Sequence, residues 1–185
     1  LAYGGSEPGG VTANTEQWDG SSWTSGGDMN DSKYIHNSNA GTQTAGLGFG
    51  GYGGGNNTEE YNGTSWSEQN NLNTARRILA GAGTQTAGLA FGGFTDANSS
   101  STEEYDGTSW TASNNLNTAR HGLAGAGIQT SALAFGGSSN RTELYNGTSW
   151  AETGDLATSR SYIAGCGATG PAAVAFGGNP NRSNT

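Results

Sequence analysis

A nine-residue motif that recurs along this chain constrains its fold more than any other feature. The motif reads Thr-Glu-Glu-Tyr-Asn-Gly-Thr-Ser-Trp at residues 58–66, with close copies at 102–110 and 142–150 and a more divergent copy at 15–23. Its final tryptophans stand at positions 23, 66, 110 and 150, so successive copies are 43, 44 and 40 residues apart. Such a period is typical of supersecondary units that pack on their neighbours because none can bury its apolar face alone.

The composition indicates a folded protein made of short strands and tight turns. Glycine accounts for 34 of the 185 residues and proline for only 3, which argues against collagen and proline-rich linkers. The regularly spaced Trp, Tyr, Phe and Leu argue against disorder, because disordered chains lack such apolar anchors. The length is sufficient for one domain with its own core.

The charge pattern argues against nucleic acid and membrane surfaces as partners. The net charge is −8, and only Arg76 and Arg77 are adjacent among the seven cationic residues. Nucleic acid and anionic lipid require a basic cluster or stripe. The apolar runs are too short for a transmembrane helix, and no signal segment opens the chain. Because the chain starts at Leu1 without an initiator Met, we expect a processed protein or part of a longer one.

Each unit carries four strand signals, named a to d in chain order. They are short alternating runs that carry apolar or aromatic side chains and are bounded by Gly, Asn or Asp. Strand a is predicted at 77–81 and strand b at 89–93, while strand c is predicted at 58–61 and strand d from Ser65 onward, with copies in the other units. No stretch shows sustained helical periodicity.

Two kinds of glycine turn separate these strands. An Asn-Gly or Asp-Gly step predicts a two-residue hairpin between strands c and d, since both positions of that turn need positive φ. The Gly-Gly after strand b predicts a bend or a close approach of backbones. One such sheet is too small to fold alone, and radial placement of several makes a β-propeller. The predicted fold is therefore all-β, a β-propeller of four-stranded antiparallel blades.

The order of these landmarks resembles the kelch repeat over nearly the whole chain. An Arg, an apolar strand, Gly-Gly, Tyr-Asn or Tyr-Asp, and a Trp recur in that order. The first unit departs from the pattern, with Trp18 at the place of the Tyr and Lys33 near the place of Arg76. The units are compact and rich in Gly, Ser and Asn, and they resemble kelch-like arrays of phage and bacterial surface proteins.

The strand signals raise the question of how the array ends. They number 17, with four of a, five of b, four of c and four of d. Kelch-like rings usually have about six or seven blades. The chain is therefore a segment of a larger ring, a ring of four closed by its two termini, or an array completed by other copies. The single domain 1–185 divides into units at about 1–31, 32–73, 74–117, 118–157 and a partial 158–185.

The loops between strands b and c are the predicted binding surface. The antiparallel order puts the b–c and d–a loops on one face, and the b–c loops vary most in length and composition. Tolerated drift in exposed loops is the alternative. The expected ligand-binding residues in these loops are Tyr52, Phe94, Asn98 and Arg141.

Two sets of repeated residues are predicted to be structural. The kelch resemblance implies that the Arg before strand a supports each blade through contacts to neighbouring loops, and an anion-binding ring around the axis is the alternative. The tryptophans are expected to pack between blades, with a sugar-stacking platform as the alternative. These residues are Arg76, Arg120, Arg160, Trp23, Trp66, Trp110 and Trp150.

No residue pattern predicts catalysis, a metal site or a cofactor. His36 and His121 stand alone, and strand alternation sends Glu59 and Glu60 to opposite faces. Cys166 replaces an Ala of the repeat and is expected to be a small buried filler. Glycosylation sequons, which matter only in a secretory context, begin at Asn30, Asn56, Asn62, Asn98, Asn140, Asn146 and Asn181.

The expected function is a non-catalytic structural or adhesive module of an extracellular or virion-surface protein. Its variable loops would bind a glycan or a protein partner. The alternative is a purely structural subunit that assembles with copies of itself into a fibre or spike. An enzyme with a site on the propeller axis is the least favoured hypothesis.

Overall fold

A computed structural model describes residues 1–53 and 55–180, and every regular element among them is a β-strand. The predicted all-β class is therefore confirmed. In the N-terminal unit, β1 (Ala2–Tyr3) precedes a small hairpin and two longer strands. The hairpin is β2 (Ser6–Glu7) with β3 (Gly10–Val11), and the longer strands are β4 (Thr15–Trp18) and β5 (Trp23–Ser25). Strands β1, β4 and β5 form a three-stranded antiparallel sheet.

Three complete four-stranded antiparallel sheets follow, each with its strands in chain order. The first contains β6 (Asn39–Thr42), β7 (Ala45–Phe49), β8 (Thr58–Tyr61) and β9 (Trp66–Gln69). The second contains β10 (Ala80–Thr84), β11 (Ala87–Phe91), β12 (Thr102–Tyr105) and β13 (Trp110–Ser113). The third contains β14 (Leu123–Ile128), β15 (Ser131–Gly136), β16 (Thr142–Tyr145) and β17 (Trp150–Glu152). A two-stranded sheet of β18 (Arg160–Thr169) and β19 (Ala172–Pro180) ends the described chain.

The predicted strands are all present, although strand a begins later than expected in the second complete sheet. Strand β10 starts at Ala80 instead of Arg77, because Ile78 has a positive φ of 55° and Arg77 pairs separately with Phe94. The small β2–β3 hairpin was not predicted. It lies inside the first b–c loop.

The turns between strands c and d differ from the prediction. Tyr61 is paired with Trp66, so four residues form the connection, and only its glycine, Gly63, has positive φ. The side-chain oxygen of Asn62 accepts hydrogen bonds from the backbone N–H groups of Thr64 and Ser65, both at 3.0 Å. Asp19, Asp106 and Asn146 accept the same pair of bonds. The recurring Asn or Asp is therefore an Asx cap of the turn.

The core lies in the joints between successive sheets. The first strands of neighbouring sheets, β6, β10, β14 and β18, lie side by side in that order. A Cβ on Gly125 of β14 would lie 2.3 Å from the carbonyl oxygen of Gly81 in β10, so glycine is what allows this approach. At one joint, Phe49 of β7 packs edge-on against Trp110 of β13, with 4.9 Å between ring centroids.

The end sheets differ from the complete sheets. Among the described residues β1 pairs with β4, β18 pairs with β19, and no ladder joins the two end sheets, so the sheets are not closed into a ring by backbone pairing. Trp23 is 52% exposed, although inter-unit packing was expected there. Cys166 is also exposed, so the expectation of a buried filler is wrong, because β18 and β19 pack against the sheet of β14–β17 and no further described sheet covers them.

Candidate functional site

A buried ion pair fixes the loop ahead of strand a in each complete sheet. Arg76 donates to the carbonyl oxygens of Gly92 and Ser101 at 2.9 and 2.7 Å, and its Nη2 lies 2.8 Å from Glu103. Burial lowers the pKa of Arg76, and the neighbouring Glu103 opposes that shift. Because this guanidinium is enclosed and both of its terminal nitrogens are bonded within the sheet, it is not available to capture an anion.

The buried ion pair recurs in the other two complete sheets, with a lysine in place of the arginine in one of them. Arg120 binds Glu143 at 3.0 Å, and Lys33 binds Glu59 at 2.9 Å. Within the described part of the chain, Arg160 in the last sheet keeps one of these contacts, a bond to Gly177 O at 2.9 Å.

Tryptophan and glutamine side chains join neighbouring sheets. The indole N–H of Trp110 donates to Thr58 Oγ1 at 2.9 Å, and those of Trp66 and Trp150 make the matching bonds to the sheets before them. Gln129 of an a–b turn donates to the carbonyl oxygens of Gly88 and Tyr105 in the preceding sheet. The glutamines were missed in the sequence, although Gln43, Gln85 and Gln129 recur at one place of the repeat.

The b–c and d–a loops meet on one face, as the strand order predicts. Tyr34 and Tyr52 exchange both backbone hydrogen bonds, at 2.8 and 3.1 Å. Arg77 and Phe94 exchange the equivalent pair, at 3.0 and 2.8 Å. The residue after each Gly-Gly pair is thereby held in place by backbone bonds, and its side chain is left to face the loops.

Six side chains on this face form what we call the aromatic arc. The Arg77 guanidinium lies 5.9 Å from the Tyr52 ring centroid and 5.1 Å from that of Phe94, within the range of cation–π attraction. The arc continues through three further ring contacts. The distance between ring centroids is 5.3 Å from Phe94 to His121 and 6.5 Å from His121 to Tyr162. It is 5.3 Å from Tyr162 to His36.

The two histidines of the arc favour their neutral forms. Burial is the main cause that lowers the pKa of His36, and the charge of His121 adds to it. The pKa of His121 is likewise lowered by burial and then by the nearby Arg77 cation. At neutral pH, Arg77 is therefore the cation of the arc.

Two clefts open beside Tyr52, whose side chain is 60% exposed. The first has a volume of about 390 Å³, and its lining includes Tyr52, Arg77, Phe94, Thr95 and Asp96, together with Gly51, Gly53 and Gly55. The second is more apolar, with a volume of about 520 Å³, and lies against Val11 and Tyr34. Both volumes are within the range of small-ligand sites.

The predicted ligand-binding residues are only partly brought together. Tyr52 and Phe94 flank Arg77, and the Asn98 side-chain oxygen lies 2.7 Å from His121 Nδ1 at the edge of the arc. Arg141 lies apart from the arc contacts and forms an exposed ion pair with Glu152. The prediction missed Arg77, His121, Tyr162 and His36. A usable signal was that variable residues directly follow the constant Arg, on the face already assigned to binding.

The sequons fall in several settings. Asn30 donates to Glu59, Asn56 donates to Leu72 O, and Asn62 and Asn146 cap turns. Asn98 contacts His121, and Asn140 is half-buried in the last b–c loop. Asn181 lies outside the described residues.

The described part of the chain contains no group of three or more His, Cys, Asp or Glu that could hold a metal ion. It likewise contains no helix long and apolar enough to cross a membrane. Glu59 and Glu60 point to opposite faces of β8, since Glu59 is buried against Lys33 while Glu60 accepts a bond from Tyr105. That bond, after burial, is one cause of the raised pKa of Tyr105.

The chain matches no protein-family model, and no curated protein is significantly similar to it.

Proposed function

We propose that this chain is a non-catalytic binding module of an extracellular or virion-surface protein, built as a kelch-like β-propeller. Its b–c loops contact a glycan or a protein partner. The observation that carries this proposal is the aromatic arc, where the exposed Tyr52 ring and the half-buried Phe94 ring, from different units, flank one cation beside a cleft. Exposed aromatic rings on a fixed backbone are suited to the apolar faces of sugars and to protein side chains.

The packing of the sheets supports the propeller part of the proposal. First strands of successive sheets are in close contact, and no comparable contact joins the fourth strands of the described sheets. Sheets that meet at their first strands and diverge at their fourth are arranged like blades around an axis. The Asn37 amide supports the same geometry, since it donates to Leu123 O and Ile163 O in two other sheets, at 3.0 and 2.7 Å.

A glycan array and a binding titration test the proposed face. Tyr52→Ala and Phe94→Ala should each weaken binding about tenfold, which corresponds to about 1.4 kcal/mol. Ile128→Ala is the matched control, because Ile128 is an exposed apolar side chain at the a–b turn of another face. Binding that survives the double Tyr52 and Phe94 substitution, or that falls equally in the control, would contradict the proposal.

Self-assembly into a fibre is a second candidate, favoured by the complementary form of the two end sheets. Arg160 already makes the bond to Gly177 O that Arg76 makes to Gly92 O, both at 2.9 Å. Among the described residues, Arg160 has no carboxylate partner of the kind that Glu103 provides to Arg76.

The N-terminal sheet contains acceptor groups equivalent to those that surround Arg76, and in another copy they could bind Arg160. A cleft of about 510 Å³ beside β1 is lined by Gly4, Asn14 and Glu16, which correspond to Gly92, Ser101 and Glu103 of a complete sheet. Glu16 is exposed there. In this second candidate, β19 of one copy takes the place of the two-residue strand β1 beside β4 of the next copy, and Arg160 reaches Glu16.

Sedimentation of charge-reversed variants tests assembly. Glu16→Arg or Arg160→Glu alone should abolish polymers, whereas the double variant should restore them. The exposed Arg141–Glu152 pair provides the matched control, since its reversal should leave assembly unchanged. A wild-type chain that sediments as a monomer at high concentration would reject the fibre candidate.

A further inference from the structure

Arg77 differs from the other cations of the described chain in having no polar partner. Lys33, Arg76, Arg120 and Arg141 each form an ion pair, and Arg160 donates to a carbonyl oxygen. No described residue accepts a hydrogen bond from the Arg77 guanidinium or pairs with it. Arg77 lines the cleft beside Tyr52 and Phe94, and none of its five N–H donors has a hydrogen-bond acceptor among the described residues.

The surroundings hold this guanidinium in position without neutralising it. The backbone of Arg77 is bonded in both directions to Phe94, and that of Tyr52 to Tyr34. Two aromatic faces flank the charged group and limit its motion. A guanidinium that is placed in advance binds a planar carboxylate through two parallel hydrogen bonds, with little ordering left to do on binding.

The other groups of the cleft select among anions. Asp96 lines the same cleft and repels a densely charged ligand, while its carboxylate and the Thr95 hydroxyl suit the hydroxyl groups of a sugar. The net charge of −8 further disfavours polyanions such as nucleic acid or sulfated polymers. One cation, two aromatic faces and two hydroxyl-binding side chains together match a sugar with a single carboxylate.

We propose that the Tyr52–Arg77–Phe94 cleft binds a carboxylate-bearing sugar, of the uronic or sialic acid class, with the carboxylate on Arg77. This inference rests on the proposed binding function and narrows its ligand. The ring faces of the sugar lie against Tyr52 or Phe94, and its hydroxyl groups face Thr95 and Asp96.

Titration calorimetry with matched probes tests this assignment. The probes are trigalacturonic acid with its methyl ester, which has the same sugars without the charge, and sialyllactose with lactose. We expect at least one acidic probe to bind at least tenfold more tightly than its neutral counterpart. Arg77→Gln should remove that difference, whereas Ile128→Ala, at an exposed a–b turn on another face, should preserve it. Thermal unfolding of Arg77→Gln confirms that the variant is folded.

The outcomes separate this inference from the general binding function. Equal binding of acidic and neutral probes, or tight acidic binding that Arg77→Gln leaves unchanged, would overturn the assignment. If neutral glycans or proteins bind in a Tyr52-dependent manner while both acidic probes fail, the binding function stands and the acidic-sugar assignment falls. If no ligand binds in a Tyr52-dependent or Phe94-dependent manner, the binding function itself falls.

Discussion

The complete sheets and the end sheets carry the same sequence pattern but bury it to different extents. Trp66 in β9 is 6% exposed, whereas Trp23 at the same place in β5 is 52% exposed. Glu103 is paired with Arg76 in the interior, whereas Glu16 at the equivalent place is exposed. A neighbouring sheet, and not the motif itself, therefore makes a repeated side chain a core residue. Stability in such arrays comes largely from the joints between units.

The largest loss of stability is expected when an interior tryptophan side chain is removed. Trp110→Ala should lower the free energy of unfolding by about 3–5 kcal/mol, because it opens a cavity against Phe49 and removes the bond to Thr58. Trp23→Ala should cost less than about 1 kcal/mol, since more than half of that side chain is already exposed. Urea denaturation measures both. Equal losses would show that the exposed tryptophan is covered in solution.

The next test compares an enclosed arginine with the arginine of the last sheet. Arg120→Met leaves Glu143 buried without its cation and should cost about 3–4 kcal/mol. Arg160→Met removes one bond to Gly177 O and should cost about 1 kcal/mol or less. Denaturation midpoints at one pH give the two values. A costly Arg160→Met in dilute monomer would indicate that Arg160 has a second partner.

A smaller effect is expected from adding one methyl group to an inner strand. In Gly125→Ala, the new Cβ meets Gly81 O at 2.3 Å, so β14 must move away from β10 at a cost of about 1–3 kcal/mol. Gly154→Ala is the control, because no heavy atom lies within 4 Å of a Cβ there. If both variants unfold at the same temperature, the inner strands are less closely packed than described.

The smallest expected effect is that of pH on the stability of the folded protein, through His36 and His121. The folded protein lowers the pKa of His36 and His121 below the ordinary value of 6.5, so the unfolded chain binds their protons more readily. The resulting stability is fully present above pH 6.5 and is lost as pH falls through the lowered values. Denaturation midpoints between pH 7.5 and 5 should decline, and the double His→Gln variant should decline less. An identical decline in the variant would assign the pH dependence to other groups.

The sequence predicted strand c better than strand a, for a physical reason. Strand c of the first complete sheet spans Thr58–Tyr61 as expected, because its alternation and its turn are local properties. Strand a starts late because Ile78 O accepts a bond from Gly122 N at 3.0 Å in the next unit, and Ile78 adopts positive φ there. A contact between residues this far apart leaves no local signal.

The candidate site was likewise predicted only in part from the sequence. Tyr52 and Phe94 could be selected from loop variation alone, but the sequence did not indicate that Arg77 lies between their rings. His121 and Tyr162 belong to later units and approach the arc only because successive sheets meet at their first strands. Arg76 and Arg77 are chemically alike in sequence, yet one is enclosed against Glu103 and the other faces a cleft.

The sequence by itself determined the all-β class, the number of main strands, the period of the units and the face that carries the variable loops. These follow from alternation, glycine turns and repetition, which act within one unit. Only the tertiary structure decided which copies of a repeated residue are buried, which cation lacks a partner, and which aromatic rings share a cleft. Those properties depend on contacts between residues far apart in the sequence, such as Trp110 with Thr58 in the preceding sheet and Arg76 with Glu103.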